Sequence, residues 1–169
     1  DIIIKGISDL LTDAKGLLTL TLLDFNGELL FKKTAAVTLF KNTSTKIYTI
    51  RKADLLGKAD TKRVVLKIEF SAEHQRSANN LFYFEAVKDL ILEKPTINME
   101  LVHKDGKQML QLRSDKLVKD LYLNFPGQAV TLADNYFDLL PHEVKWIELK
   151  PGDKPDMKNV EIKHIQQTK

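Results

Sequence analysis

The sequence predicts an all-β chain built as two consecutive β-sandwiches. Three observations predict it: apolar residues alternate with polar ones at period two, turn signals recur at short intervals, and no segment sustains a helical period through three turns. The 169 residues, 43% hydrophobic and 29% charged, suit one large domain or two small ones, and each half can bury a core.

Taken in order, Leu18, Leu20 and Leu22 alternate with Thr19 and Thr21 up to Asp24-Phe25-Asn26-Gly27, where Asn-Gly suits a tight hairpin and Leu29 to Leu39 returns as the partner strand. Another strand is expected at Ile47 to Ile50, followed by a single helical turn at Asp54-Leu55-Leu56. Val64, Leu66, Ile68 and Phe70 then point one way and Val65, Lys67 and Glu69 the other, with a further strand at Leu81 to Val87. The pattern stops at Leu92-Glu93-Lys94-Pro95. Proline cannot donate to a ladder, so a boundary is expected there, with a first domain over 1–93 and a second over 94–169.

The second series opens with Ile97, Met99 and Leu101, turns at Lys104-Asp105-Gly106-Lys107 and returns through Met109 to Leu112. Asp115 to Asp120 has room for one helical turn. Leu121, Leu123 and Phe125 form the next strand, ended by Pro126-Gly127, and strands resume at Val144 to Leu149 and Val160 to Ile165 around the polar turn 151–155.

Composition excludes several function classes. Absence of cysteine removes disulfides, thiolate metal sites and cysteine nucleophiles, while leaving the compartment open. The net charge of +3 comes from 26 basic and 23 acidic residues that interleave, so no nucleic-acid footprint is expected. The longest apolar runs are about six residues against the roughly 18 of a membrane span, so no span is expected. Because the chain opens on Asp1 without a methionine and shows no secretory leader, a processed or excised piece of something longer is expected. A (β/α)₈ barrel needs on the order of 250 residues and does not fit.

No catalytic constellation stands out. Glycoside hydrolysis uses two facing carboxylates, but among 23 acidic residues Glu69 and Glu85 lie opposite apolar strand positions and are expected to face water. His74, His103, His142 and His164 lack metal-ligand spacing, and neither a serine-nucleophile motif nor a phosphate loop occurs, so no catalytic residue, metal or cofactor is assigned. Asn42-Thr43-Ser44 matches the glycosylation sequon.

The acidic and aromatic run Asp134-Asn135-Tyr136-Phe137-Asp138 suits a sugar-contacting surface, with Tyr136, Asp134 and Asn135 as its candidate residues. Alternatively, Asp134 and Asn135 tie the loop backbone through side-chain hydrogen bonds while Phe137, Leu139 and Leu140 plug the sandwich end; composition favours this structural reading. Phe137 and Leu140 are then expected buried and Tyr136 partly exposed. Trp146 shares a face with Val144 and is expected in the core.

Asp134-Asn135-Tyr136-Phe137-Asp138-Leu139-Leu140-Pro141 resembles the segment S-D-N-F-F-D-L-L-P-G-E of the last domain of β-mannosidases of glycoside hydrolase family two. Ile7-Ser8-Asp9-Leu10, Gly16 to Leu20, Asn79 to Phe84 and Leu90 to Pro95 are similar to the preceding domain and linker of those enzymes. Ala133 stands where the family has serine, and His142 where it has glycine, which questions the turn after Pro141. The resemblance implies two immunoglobulin-like domains at the C-terminal end of a retaining exo-acting β-mannosidase. Its catalytic glutamates would lie in an upstream barrel, so none is carried over here. The implied partners are that barrel and mannose-containing carbohydrate, in an extracytoplasmic setting, periplasmic or secreted, or lysosomal in a eukaryote. The competing expectation is a self-standing carbohydrate-binding or adhesion module.

Overall fold

The computed structural model describes residues 1–73 and 77–167. They divide into two compact units, one of Asp1–Asp24 with Glu28–Ile91, the other of Phe25–Gly27 with the chain from Leu92 onward. Each unit is antiparallel β-structure in two sheets.

The first unit contains β1 (Ile2–Ser8), β2 (Ala14–Asp24), β3 (Leu29–Leu39), β4 (Thr43–Ile50), the one-turn helix α1 (Lys52–Leu56), β5 (Val64–Ala72) and β6 (Ala78–Tyr83). One sheet runs β3-β2-β5-β6 and the other pairs β1 with β4. Register places Leu18 beside Phe70, Leu20 beside Ile68 and Leu22 beside Leu66, so the alternating apolar residues share one face. With Val64, these leucines meet Ile4 and Ile50 of the second sheet and Leu55 of α1 in one buried cluster. Fully burying each such side chain is worth roughly 1.5–3 kcal/mol.

Two expectations are corrected here. Asn26-Gly27 does not form a two-residue turn: the hairpin closes at Asp24 and Glu28, with Asp24 N–H donating to the Glu28 carbonyl at 3.0 Å and Glu28 N–H to Asp24 Oδ1 at 2.7 Å. Gly27 takes φ 92°, and the ladder shifts register between Leu22 and Leu23. The strand expected at Leu81 to Val87 lies earlier, at Ala78–Tyr83, because its partner β5 is used up where Val65 meets Tyr83. Val87–Asp89 instead forms a 3-10 turn.

The second unit contains β7 (Ile97–Lys104), β8 (Lys107–Ser114), β9 (Val118–Asn124), β10 (Phe137–Leu139), β11 (Lys145–Glu148) and β12 (Glu161–Lys163). Its sheets run β11-β8-β7 and β10-β9-β12. Leu110, Leu112 and Ile147 from one meet Val118, Leu121, Leu123 and Leu139 from the other. Asp105 and Gly106 both take positive φ, 52° and 74°, as a two-residue primed turn between Lys104 and Lys107 requires.

The helical turn expected within Asp115 to Asp120 is absent: Val118 to Asp120 already belong to β9. Leu117 and Val118 are both buried, which anchors this stretch to the sandwich. Trp146 is also corrected. Its neighbours Ile147 and Leu149 fill the core, so alternation turns Trp146 to the outer face, half-buried, with Lys104 Nζ 4.3 Å from its ring centroid.

Candidate functional site

The segment 134–141 joins the outer surface of the second unit to its core. Asn135 does for Leu123 what a strand neighbour would do. Its Oδ1 accepts the Leu123 N–H at 2.9 Å and its Nδ2 donates to the Leu123 carbonyl at 2.9 Å. The same Oδ1 accepts the Tyr136 N–H at 3.2 Å. The Asp134 carboxylate does not tie its own loop. It pairs with Lys145 Nζ at 2.5 Å, and that ammonium also lies 4.7 Å from the Phe137 ring centroid.

Tyr136 has φ 61°, a left-handed backbone costly for a bulky residue, and its side chain is 71% exposed. One face of its ring stacks on Tyr122, with centroids 4.5 Å apart and planes 24° apart. Leu139 and Leu140 are buried. Phe137, expected buried, is half-buried, packed against the core cluster on one side with Lys145 on the other. His142 takes φ 61°, so the turn after Pro141 keeps a left-handed residue although a Cβ is present; its N–H donates to the Ser114 carbonyl at 2.9 Å.

Next to this segment β9 bulges. Phe137 faces Leu121 and Leu139 faces Val118, leaving two residues, Lys119 and Asp120, opposite Asp138. Asp120 takes φ 52°, and Asp138 Oδ1 accepts its N–H at 2.9 Å and Lys119 Nζ at 3.0 Å. Burial works against the Lys119 charge, but the carboxylates of Asp120 and Asp138 outweigh it and hold its pKa above the ordinary lysine value. Gln166 closes the network, accepting the Lys119 N–H at 3.2 Å and donating to the Leu117 carbonyl at 2.6 Å. This cluster ties β9 to β10 and to Gln166.

A cavity of about 290 Å³ opens beside the Tyr122 stack, lined by Tyr122, Asn124, Gln128, Thr131 and Asn135 among others. Asn124 Nδ2 donates to Glu161 Oε2 at 3.0 Å. That bond, with Lys163 second, holds the Glu161 pKa below the usual carboxylate value. Of this lining, Asn135 is a candidate of the sequence analysis, whereas Asn124, Gln128 and Thr131 escaped it. The signal for Asn124 was present, because Leu121, Leu123 and Phe125 facing the core oblige Tyr122 and Asn124 to face outward.

The other candidates are not brought together. Glu69 pairs with Lys67 at 3.0 Å, and Glu85 accepts the Thr61 hydroxyl at 2.6 Å in the first unit. His164 is buried with its Nδ1 3.1 Å from Gln166 Oε1, and His74 lies outside the described residues. Among the described residues no group of three or more acids or histidines is placed to hold a metal. Among the described residues no helix is long and apolar enough to cross a membrane.

Residues 2–89, more than half of the chain, match the family model of the mannosidase Ig/CBM-like domain. The chain belongs to that family. Residues 92–168 match a second model, an Ig-fold domain of the mannosidase type, so the two sandwiches are both Ig-like. The β-D-mannosidase from Dictyoglomus thermophilum is similar at 17% identity and a TM-score of 0.75, over 96% of this chain and 20% of that one. The exo-chitosanase CsxA from Amycolatopsis orientalis is similar at 13% identity and a TM-score of 0.61, over 96% of this chain and 24% of that one. At such identities the likeness is one of fold. Comparison with curated proteins gave no match. The mannosidase Ig/CBM-like domain and its Ig-fold companion thus span a fifth to a quarter of the length of these solved structures.

Proposed function

We propose that this chain is a noncatalytic accessory region of a β-mannosidase, C-terminal in its parent and packed on a catalytic barrel that lies outside the sequence. The observation that carries the proposal is the coverage: 96% of this chain aligns with only 20% of a β-D-mannosidase. The chemistry of the chain supports it as well. Its half-buried carboxylate Asp138 is committed to Lys119 and to the backbone of Asp120, which suits a structural role and not proton transfer to a glycosidic oxygen.

On this reading the parent removes terminal non-reducing β-D-mannose with retention of configuration, in an extracytoplasmic compartment, and the two accessory domains meet at the 93/94 boundary. Two measurements test it. The isolated chain should not hydrolyse p-nitrophenyl β-D-mannoside, whereas the parent containing the residues upstream of Asp1 should. Turnover by the isolated chain that a single acidic substitution abolishes would overturn the proposal, as would an upstream sequence that encodes no barrel.

A further inference from the structure

We infer that the second domain itself carries a binding subsite for a neutral hexopyranoside, formed by the Tyr136–Tyr122 stack and the adjoining cavity lined by Asn124, Gln128 and Thr131. This goes beyond the accessory role and stands whether or not the parent is a mannosidase.

The argument begins with strain. A left-handed backbone position on a surface loop favours glycine or asparagine, yet the chain places there a tyrosine that buries little of itself. The Asn135 side chain holds this conformation through its three hydrogen bonds, so the backbone is fixed independently of the ring. The ring then rests flat on Tyr122, which fixes its orientation and leaves its second face open to solvent. A pre-oriented aromatic face, retained against a conformational cost, suits the apolar C–H face of a pyranose.

Polar groups complete the match. Tyr122 and Asn135, which hold Tyr136 by the stack and by a hydrogen bond, also line the cavity of about 290 Å³, so the polar groups of the cavity lie beside a sugar stacked on Tyr136. Gln128 spends its Oε1 on the Asp156 N–H at 2.7 Å, and Asn124 spends its Nδ2 on Glu161. The opposite ends of both amides, together with the Thr131 hydroxyl, make no other hydrogen bond among the described residues. Gln128 Nε2 can donate, Asn124 Oδ1 can accept, and the hydroxyl can do either, as the hydroxyls of a sugar require. The cavity lining contains no charged side chain, which favours a neutral ring over a sugar acid.

The test is an amide-resolved NMR titration of the whole chain with methyl β-D-mannopyranoside. Saturable shifts are expected at Tyr122, Asn124, Gln128, Thr131 and Tyr136. Tyr136→Gly removes the ring but suits the backbone, so it should lose the saturable shifts while keeping the dispersed spectrum of the folded chain; Tyr136→Phe should retain them. Asn124→Ala provides a second reading from the cavity, with weaker saturation expected even if the Tyr136 variant folds poorly. Absence of saturable shifts, or shifts indifferent to both Tyr136→Gly and Asn124→Ala, would overturn the inference. Neither result bears on whether the parent enzyme has a barrel or cleaves mannosides.

Discussion

Residues 137–140 and residues 134–136 follow one another in the chain, yet different forces hold them. Leu139 and Leu140 are buried, and Leu139 belongs to the core cluster with Leu121 and Leu123. Asp134, Asn135 and Tyr136 bury little apolar surface and are positioned by an ion pair, three hydrogen bonds and a ring stack. The first stretch can change only at the expense of the sandwich. The second can change its ring and keep its backbone, and such separation is what a binding loop on a stable scaffold needs.

The largest effect is expected from Leu139→Ala, which should cost about 2–5 kcal/mol, since a leucine this deeply buried leaves a cavity between two sheets. Trp146 is the single tryptophan and belongs to the second unit, so its fluorescence during urea unfolding reports on that unit. A Leu139→Ala loss no larger than that of the loop variants below would break the comparison. Asp138→Ala should come next, at about 2–3 kcal/mol, because it leaves the buried Lys119 ammonium with one carboxylate fewer and the Asp120 N–H unpaired. Asp138→Asn keeps an acceptor and should recover part of that loss.

Asn135→Ala should cost about 1–2 kcal/mol, because the Leu123 N–H and carbonyl both lose their partner at a half-buried position. Phe137→Ala belongs in the same range or slightly below it, since a half-buried ring gives up only part of the burial energy of a core phenylalanine. Were Asn135→Ala without effect, its hydrogen bonds to Leu123 would not be what positions the loop, and the division between the two stretches would fail.

Much of this architecture was legible because alternation is a direct record of burial. Leu18, Leu20 and Leu22 had to share a face, and Leu121 and Leu123 likewise, so both sandwiches followed from period two. What escaped was set by pairing across distance. The end of β6 depends on where β5 runs out, and the three-residue loop after Asp24 depends on its carboxylate reaching the Glu28 N–H. Trp146 lies on the outer face because Ile147 and Leu149, and not Val144, mark the inner one. The site was half legible: Tyr136 and Asn135 stand out in the run 134–141, but the stack on Tyr122 unites residues from β9 and a loop whose proximity only the ladder between β9 and β10 determines.

The smallest effect expected is also the most diagnostic. At Tyr136, substitution by glycine relieves a left-handed backbone that costs an L-residue about 1–2 kcal/mol. Against this stand the lost ring stack, roughly 0.5–1.5 kcal/mol, and the added freedom of a glycine in the unfolded chain, about 0.4–1 kcal/mol. These contributions nearly cancel, so Tyr136→Gly should melt close to the unmodified protein. Tyr136→Ala loses the stack and keeps the strain, and should therefore be the less stable of the two by about 1 kcal/mol, opposite to the usual order of alanine and glycine. Thermal melts of the pair decide the matter. If alanine proves the more stable, the left-handed geometry at Tyr136 is absent in solution, and the ring is free to lie where the loop takes it; if glycine does, the strain is real and the tyrosine is retained in spite of it.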